Sequence, residues 1–454
     1  MKIVQSYKTK LVNPAYKNDM INTINIYRNA VSYIINVVNS NYEELLTYSN
    51  KNKKTYIEKL IHFTKNNKPS FDFDKKFPKF PSYLRRSAIA DAIGIVSSYK
   101  SNLKNYEEER YIAISNGKKF KKKAPKLNLK HFKCPAFYNG NMYKRLNDNS
   151  IEIKLFIKND WKFIKMTLRQ TDVNYINKNC YTLKESSPIL CKKGRNFYLS
   201  FSFSGEVKLD NTILEEQSIV SVDLGINKSA VCSLIKYDGT VLKRLFINQK
   251  RNKDYQNILI NRLKVKQKQG GKFASNKSLW AKINGLNTQI VNDTVNQITK
   301  FAKENKANVL VFEYLNFNSK NKGYKLKNKN NIATKLNLWC HKRIIKKSKE
   351  KAHSIGIRFR RVCPKNTSAL AYDGSGYVKR NKENHSLCTF TTGKQYNCDL
   401  NASYNIGARY FIKEIEKSIS KKKWAKLVAK IPQVSTRTQC TLSTLINVVE
   451  QLAY

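Results

Sequence analysis

Three acids are framed with unusual care in a chain that carries 86 Lys+Arg against 32 Asp+Glu. Asp223 lies in the apolar run "SIVSVDLGI", and Glu313 closes the apolar run "NVLVFE". Asp399 follows a cysteine in "QYNCDLNASYNIGARY" and opens what reads as a small-residue helix. Taken singly each is weak, because an aspartate in "VDLG" is more often a turn or edge residue. Gathered together, three carboxylates repel one another and are stable mainly when divalent cations neutralise them. Two Mg²⁺ about 3.5–4 Å apart then activate a water and stabilise the leaving 3′ oxygen of a phosphodiester. Mg²⁺ prefers such oxygen ligands and keeps positions open for phosphate.

Gathering them is the task of the surrounding elements. From Ser218 the chain reads as βββ-α-β-α-β-α. "SIVSVDLGI" is a buried strand, and "SAVCSLIKYDGTVLKRLFI" is two more joined at an Asp238-Gly239 turn. Two long helical segments follow, the second with Val291, Val295, Ile298 and Ala302 on one face. Then come the strand ending on Glu313, a helix around Trp339, the strand "IGIRFRRVCP" and the helix of Asp399. In this order the first and fourth strands lie side by side. Asp223 and Glu313 then reach neighbouring strand ends, and Asp399 descends on them from a helix. This is the arrangement of an RNase H-like nuclease.

Upstream, "KIVQSYKTKLV" reads as a strand ended by Asn13-Pro14. Ile24, Tyr27, Val31, Ile34 and Val38 then recur at helical spacing, as do Ile89, Ile93, Val96, Tyr99, Leu103 and Tyr106 after Pro81. A basic run, "GKKFKKKAPK", breaks this pattern. Beyond it "SIEIKLFI", "WKFIKMTL" and "FYLSFSFSG" alternate like half-buried strands, with "KKGRN" as a hairpin turn. The expected fold is a multidomain α+β chain. Residues 1–12 and 128–215 form a β-barrel-like wedge around an inserted helical recognition bundle, 13–127. An RNase H-like α/β nuclease domain covers 216–363 and 399–420, interrupted by an insertion at 364–398. Residues 421–454 form a basic, mobile tail.

The net charge of +54 calls for a polyanionic partner. A protein reading one short duplex engages roughly 6–10 phosphates, so the surplus fits a long nucleic acid bound over much of the surface. A membrane partner is not expected. No apolar run reaches the roughly 20 residues that span a bilayer, and "MKIVQSYKTKLV" lacks the apolar core of a signal peptide. The nine cysteines are odd in number and never form a CxxC pair, which fits free thiols in a reducing cytoplasm. Heavy use of Lys, Asn and Ile points to an AT-rich, bacterial genome.

With these features assembled, "SVDLGINKSAV", "VLVFEYLNF" and "CDLNASYNIGAR" resemble the three RuvC motifs of TnpB proteins, transposon-encoded RNA-guided nucleases related to compact type V CRISPR effectors. "LWCHKRIIKKSKEKAHSIGIRFRRVCPKNTS" resembles the stretch leading into their zinc-ribbon insertion. The similarity is strong over about residues 218–410 and looser upstream. It implies a guide RNA paired with double-stranded target DNA, a short adjacent motif read by the protein, and one RuvC site that cuts. Asp223, Glu313 and Asp399 carry over as metal ligands. Arg409 falls on the arginine after the "NI" of the third motif, where it would contact the scissile phosphate or else sit on a helix surface.

The chain departs from the pattern at the zinc ribbon. Ala371 and Gly374 stand where a first cysteine pair would fall, and Cys388 has threonines for a partner. Cys363, His385, Cys388 and Cys398 are the remaining ligand types, against the four of a tetrahedral site. The expectation is a degenerate ribbon without Zn²⁺, in which glycines and the "YDGSG" turn replace the clamp. Tyr83, Arg85 and Arg86, and Lys121, Lys122 and Lys123, are candidate nucleic-acid contacts. The "NSKNKGYKLKNKNN" loop is a candidate gate to the active site. Lys421, Lys422, Lys423, Lys426 and Lys430 around Trp424 are compatible with RNA binding. A monomer is expected. Rival readings are a compact CRISPR effector, an RNase H-fold transposase or resolvase working without RNA, and a non-cutting RNA-guided repressor. The last is disfavoured by the presence of all three acids.

Overall fold

The computed structural model describes residues 1–129, 133–226, 228–270, 276–315, 339–381, 383–384 and 386–453. It divides into two bodies, Lys2–Gly205 and Glu206–Tyr454 together with Met1.

In the first body, β1 (Lys2–Lys10) is followed by helices α1 (Lys17–Ser40), α2 (Tyr42–Thr47), α3 (Lys53–Ile61), α4 (Phe73–Lys76) and α5 (Ser82–Ser115). Strands β2 (Tyr143–Arg145), β3 (Ser150–Ile157) and β4 (Asp160–Thr167) come next, then α6 (Gln170–Cys180). The body closes with β5 (Lys184–Glu185), β6 (Ile189–Lys193) and β7 (Asn196–Glu206). The strands form two sheets, β2-β3-β4, and β1-β7-β5 with β6 also on β7, which meet at the antiparallel Leu11–Leu168 bridge. The amino-terminal strand thus completes the β-rich module, and "KKGRN" turns the β6–β7 hairpin.

Helices and strands share one apolar core, although the sequence pattern reads as two separate domains. The cause lies in α1, which buries a second row, Met20, Ala30 and Ile35, beside the expected face. One side of α1 packs on α5 and another on β3, where the Thr23 hydroxyl accepts a hydrogen bond from the Phe156 N–H at 3.0 Å. Helix α6 interrupts the β-rich segment with its own one-turn spacing of buried Val173, Ile176 and Cys180.

The second body is built on β8 (Ser218–Asp223), β9 (Ala230–Lys236), β10 (Val241–Ile247), β11 (Val309–Glu313) and β12 (Arg358–Val362). Helices α7 (Lys250–Lys268) and α8 (Lys277–Glu304) lie between β10 and β11, and α9 (His341–Ser354) precedes β12. The sheet order is β10-β9-β8-β11-β12. The β8–β9 and β9–β10 pairs are antiparallel, while β11 runs parallel to both β8 and β12. The first strand therefore lies beside the fourth.

Each sheet face has its own core. Val220, Val222, Leu310 and Phe312 face one core with Val291, Val295 and Ile298 of α8 and Ile344 of α9. Ile219, Val309 and Val311 face the other, with α10 (Cys398–Ser418). Helix α10 packs closely because its sheet-facing side is small: a Cβ added at Gly407 would stand 2.5 Å from Ile235 Cδ1, and the Ser403 hydroxyl meets that of Ser233 at 2.6 Å.

Residues 364–397 carry three short strands, β13 (Lys379–Arg380), β14 (Leu387–Thr389) and β15 (Gln395–Asn397), paired in that order. The expected mobile tail is instead structured. Helices α11 (Lys421–Lys430) and α12 (Leu442–Ala453) fold back, and Leu442, Leu445 and Val448 join the core against α10. The lysines of α11 dominate the sequence signal there, and the apolar i, i+3 rhythm of α12 decides the packing.

Among the described residues no helix is long and apolar enough to cross a membrane.

Candidate metal centre

Register brings two of the acids together. In the parallel β8–β11 pair, Phe312 is the partner of Val222, so Asp223 and Glu313 follow at the same height on adjacent strands. Parallel strands lie about 4.8 Å apart, and side chains alternate between faces. Val222 and Phe312 point into the α8 side, so Asp223 and Glu313 share the opposite face, the one covered by α10. The third acid is set by the way α10 begins. The Asn397 side chain caps the helix, accepting from the N–H groups of Asp399 and Leu400 at 3.1 Å each. Asp399 thus sits in the first turn, where the helix dipole favours an anion.

All three carboxylates line one cleft of about 610 Å³, with Gly225, Thr367, Ser368 and Arg380 among its walls. Their electrostatics are strained. Burial pushes the Asp223 carboxyl well above its ordinary range, and the charges of Glu313 and Asp399 push it the same way. Glu313 is raised by burial, against the opposing pull of the Thr367 hydroxyl and the Arg409 charge. Asp399 is raised by burial, with Lys228 and Arg380 opposing. Lys228 Nζ stands 4.0 Å from Asp399 Oδ2 and 4.3 Å above the Phe246 ring.

The donor set is oxygen only, which suits a hard divalent cation such as Mg²⁺. Among the described residues no three His, Cys, Asp or Glu groups are drawn tightly enough to hold one ion. Cys398, next to Asp399 in sequence, turns away into an apolar cluster with Ala371, Cys388 and Phe390. There burial, followed by the neighbouring Cys398 thiol, pushes Cys388 up to about 12. His385 lies outside the described residues.

The Aq_aa04 family model matches residues 5–157. The TnpB-like protein aq_aa05 of Aquifex aeolicus (strain VF5) is 27% identical over 237 residues, covering 48% of this chain and 74% of that protein. The chain is a homologue of a TnpB-like protein. Among solved structures, that of the mini-RNA-guided endonuclease CRISPR-Cas phi3 is similar over 89% of this chain and 92% of that one, at 13% identity and a TM-score of 0.48. A Cas12f1–sgRNA–target DNA complex is similar over 89% and 98%, at 16% identity and a TM-score of 0.31.

Arg409 is neither a phosphate contact nor a surface residue in this chain. It is buried, and its guanidinium donates to the carbonyls of Cys363 (2.9 Å), Lys365 (2.6 Å), Thr438 (3.0 Å) and Cys440 (3.2 Å). Arg85 is likewise consumed internally, held by Glu58 at 3.2 Å with Asp74 at 4.0 Å, its side chain 5% exposed. Arg86 also binds Glu58, at 2.9 Å, but stays exposed. Tyr83 is partly exposed and rests on Tyr138. Lys121, Lys122 and Lys123 are exposed, with Lys122 paired to Glu109 at 2.9 Å. The proposed gate, 318–331, lies outside the described residues.

Three residues around the acids escaped the sequence reading: Thr367 and Arg380, which line the cleft, and Lys228, which stands beside Asp399. Thr367-Ser368 served there only as a boundary mark, and a lysine or arginine carries no signal among 86 cations.

Proposed function

We propose that this TnpB homologue is an RNA-guided, Mg²⁺-dependent DNA endonuclease with a single RuvC-like site. The observation that carries the reading is the convergence of Asp223, Glu313 and Asp399 on one cleft from two neighbouring strand ends and a helix start. Asp223, Glu313 and Asp399 would hold the cations. When bound, two Mg²⁺ supply an activated water and stabilise the departing 3′ oxygen.

The chain's own residues do the rest. Asp223, central in the charge network, feels both other acids and is the natural shared ligand. Arg380 lines the cleft and is anchored by donating to the Ser368 hydroxyl at 3.0 Å, which leaves its charge beside the acids to orient a phosphate. Lys228 balances the charge of Asp399. The body Lys2–Gly205 and the excess of cations across the chain would bind guide RNA and target backbone, with base pairing providing the sequence specificity. The two bodies would correspond to wedge and recognition functions (2–205) and to nuclease function (206–453), with 364–398 as a nucleic-acid-binding insertion.

The test is to recover and sequence the RNA that co-purifies from the host, then offer DNA complementary to its variable end. Cleavage in Mg²⁺ that is lost in EDTA, and that follows a reprogrammed RNA, is expected. Cleavage indifferent to the RNA would favour a resolvase or transposase.

A further inference from the structure

Three polar residues four apart on α10, Asn401, Asn405 and Arg409, are buried against the loop that follows β12. Asn401 Nδ2 donates to Leu370 O at 2.8 Å and its Oδ1 accepts from Tyr372 N–H at 2.7 Å. Asn405 Nδ2 donates to Thr367 O and Leu370 O, each at 2.9 Å, and its Oδ1 accepts from Leu442 N–H at 3.2 Å. Arg409 ties the start of the same loop to residues 438–440, as described above. Thr367 in turn donates its hydroxyl to Glu313 Oε1, with Pro364 O also in reach at 3.0 Å.

Burying a guanidinium and two amides costs free energy unless every group is paired. Here each is paired: Asn401 holds the loop alone, while Asn405 and Arg409 join the loop to residues 438–442. Resting on the nuclease reading above, we infer that Thr367 is a positioning residue for Glu313, and that the Asn401–Asn405–Arg409 stripe makes residues 438–442 and the start of helix α12 part of the support of the metal site. The hydroxyl fixes one carboxylate oxygen of Glu313, a residue of the cleft wall. The stripe fixes the backbone on which that hydroxyl stands. Loosening α12 would therefore be felt at Glu313, on the other side of α10.

The test reads Mn²⁺ binding by calorimetry, with no need for nucleic acid or cleavage. Thr367→Val should weaken Mn²⁺ binding by about tenfold or more, the usual effect of losing an outer partner of a ligand. Thr367→Ser, which keeps the hydroxyl, should restore it. Leu445→Ala, a milder change in α12 than deletion, should raise hydrogen exchange in 364–371 as well as in 438–453, and should weaken Mn²⁺ binding too. Equal Mn²⁺ affinity in wild type and Thr367→Val overturns the positioning role and leaves the nuclease reading intact. Exchange confined to 438–453 in Leu445→Ala overturns the coupling. A wild type that binds no Mn²⁺ overturns both this inference and the reading beneath it.

Discussion

Replacing Asp223 with Asn should make the metal-free protein more stable while removing its response to metal. Burial and the charges of Glu313 and Asp399 hold the Asp223 carboxyl above its ordinary range. The folded state therefore binds that proton more tightly than the unfolded chain does. Stability is then lost as pH rises from the ordinary carboxylate range, near 4, through the raised value, because the folded protein must ionise a group it resists ionising. Asn keeps the shape and removes the charge. Each tenfold change in the acid's dissociation constant is worth about 1.4 kcal/mol. In a body of about this size ~1 kcal/mol moves Tm by about 2–4 °C, so relief of a single decade raises Tm by roughly 3–5 °C. Thermal unfolding in EDTA, at pH 8 and again at pH 5, measures the gain. It should be present at pH 8 and shrink at pH 5. Adding Mg²⁺ at pH 8 should raise Tm of the wild type and leave the variant nearly unmoved. A variant less stable than wild type at both pH values, or one still stabilised by Mg²⁺, would refute the reasoning.

Other outcomes follow from particular side chains. Arg409→Met strands four carbonyl acceptors in the core and should cost about 3–5 kcal/mol, read by denaturant unfolding. Arg85→Met leaves the half-buried Glu58 carboxylate with only its exposed partner, Arg86, and should destabilise by about 1–3 kcal/mol. By contrast, joint Lys121→Ala and Lys123→Ala should leave Tm unchanged and reduce the salt dependence of RNA binding by roughly one or two counterions. Metal analysis after EDTA treatment and repurification should find no zinc. One zinc per chain would show that Cys363, His385, Cys388 and Cys398 still form a clamp.

The five-stranded sheet of the second body was legible because its strands are short apolar runs in an order that leaves few topologies, and because Asp223 and Glu313 end two of them. The placement of Asp399 was legible from its position at a helix start. Arg409 was not, since its burial depends on residues 438–440, which the lysine-rich stretch before them disguised as a tail. A polar residue every fourth position on an otherwise apolar helix, Asn401, Asn405 and Arg409, was the available signal for a buried polar stripe. The union of helices and strands in the first body was hidden because α1 buries two faces, and periodicity alone reports only the stronger. Thr367 had no signal of its own, because a loop hydroxyl acquires meaning only from the carboxylate that folding brings to it.

The central claim is that Asp223, Glu313 and Asp399 together form one cation-dependent cutting site. Single-turnover cleavage of guide-complementary DNA by Asp223→Ala, Glu313→Ala and Asp399→Ala, with RNA and DNA affinity measured in parallel, tests it most directly. The account predicts that each variant loses cleavage and keeps binding within a few-fold of wild type. Cleavage persisting in all three would contradict it.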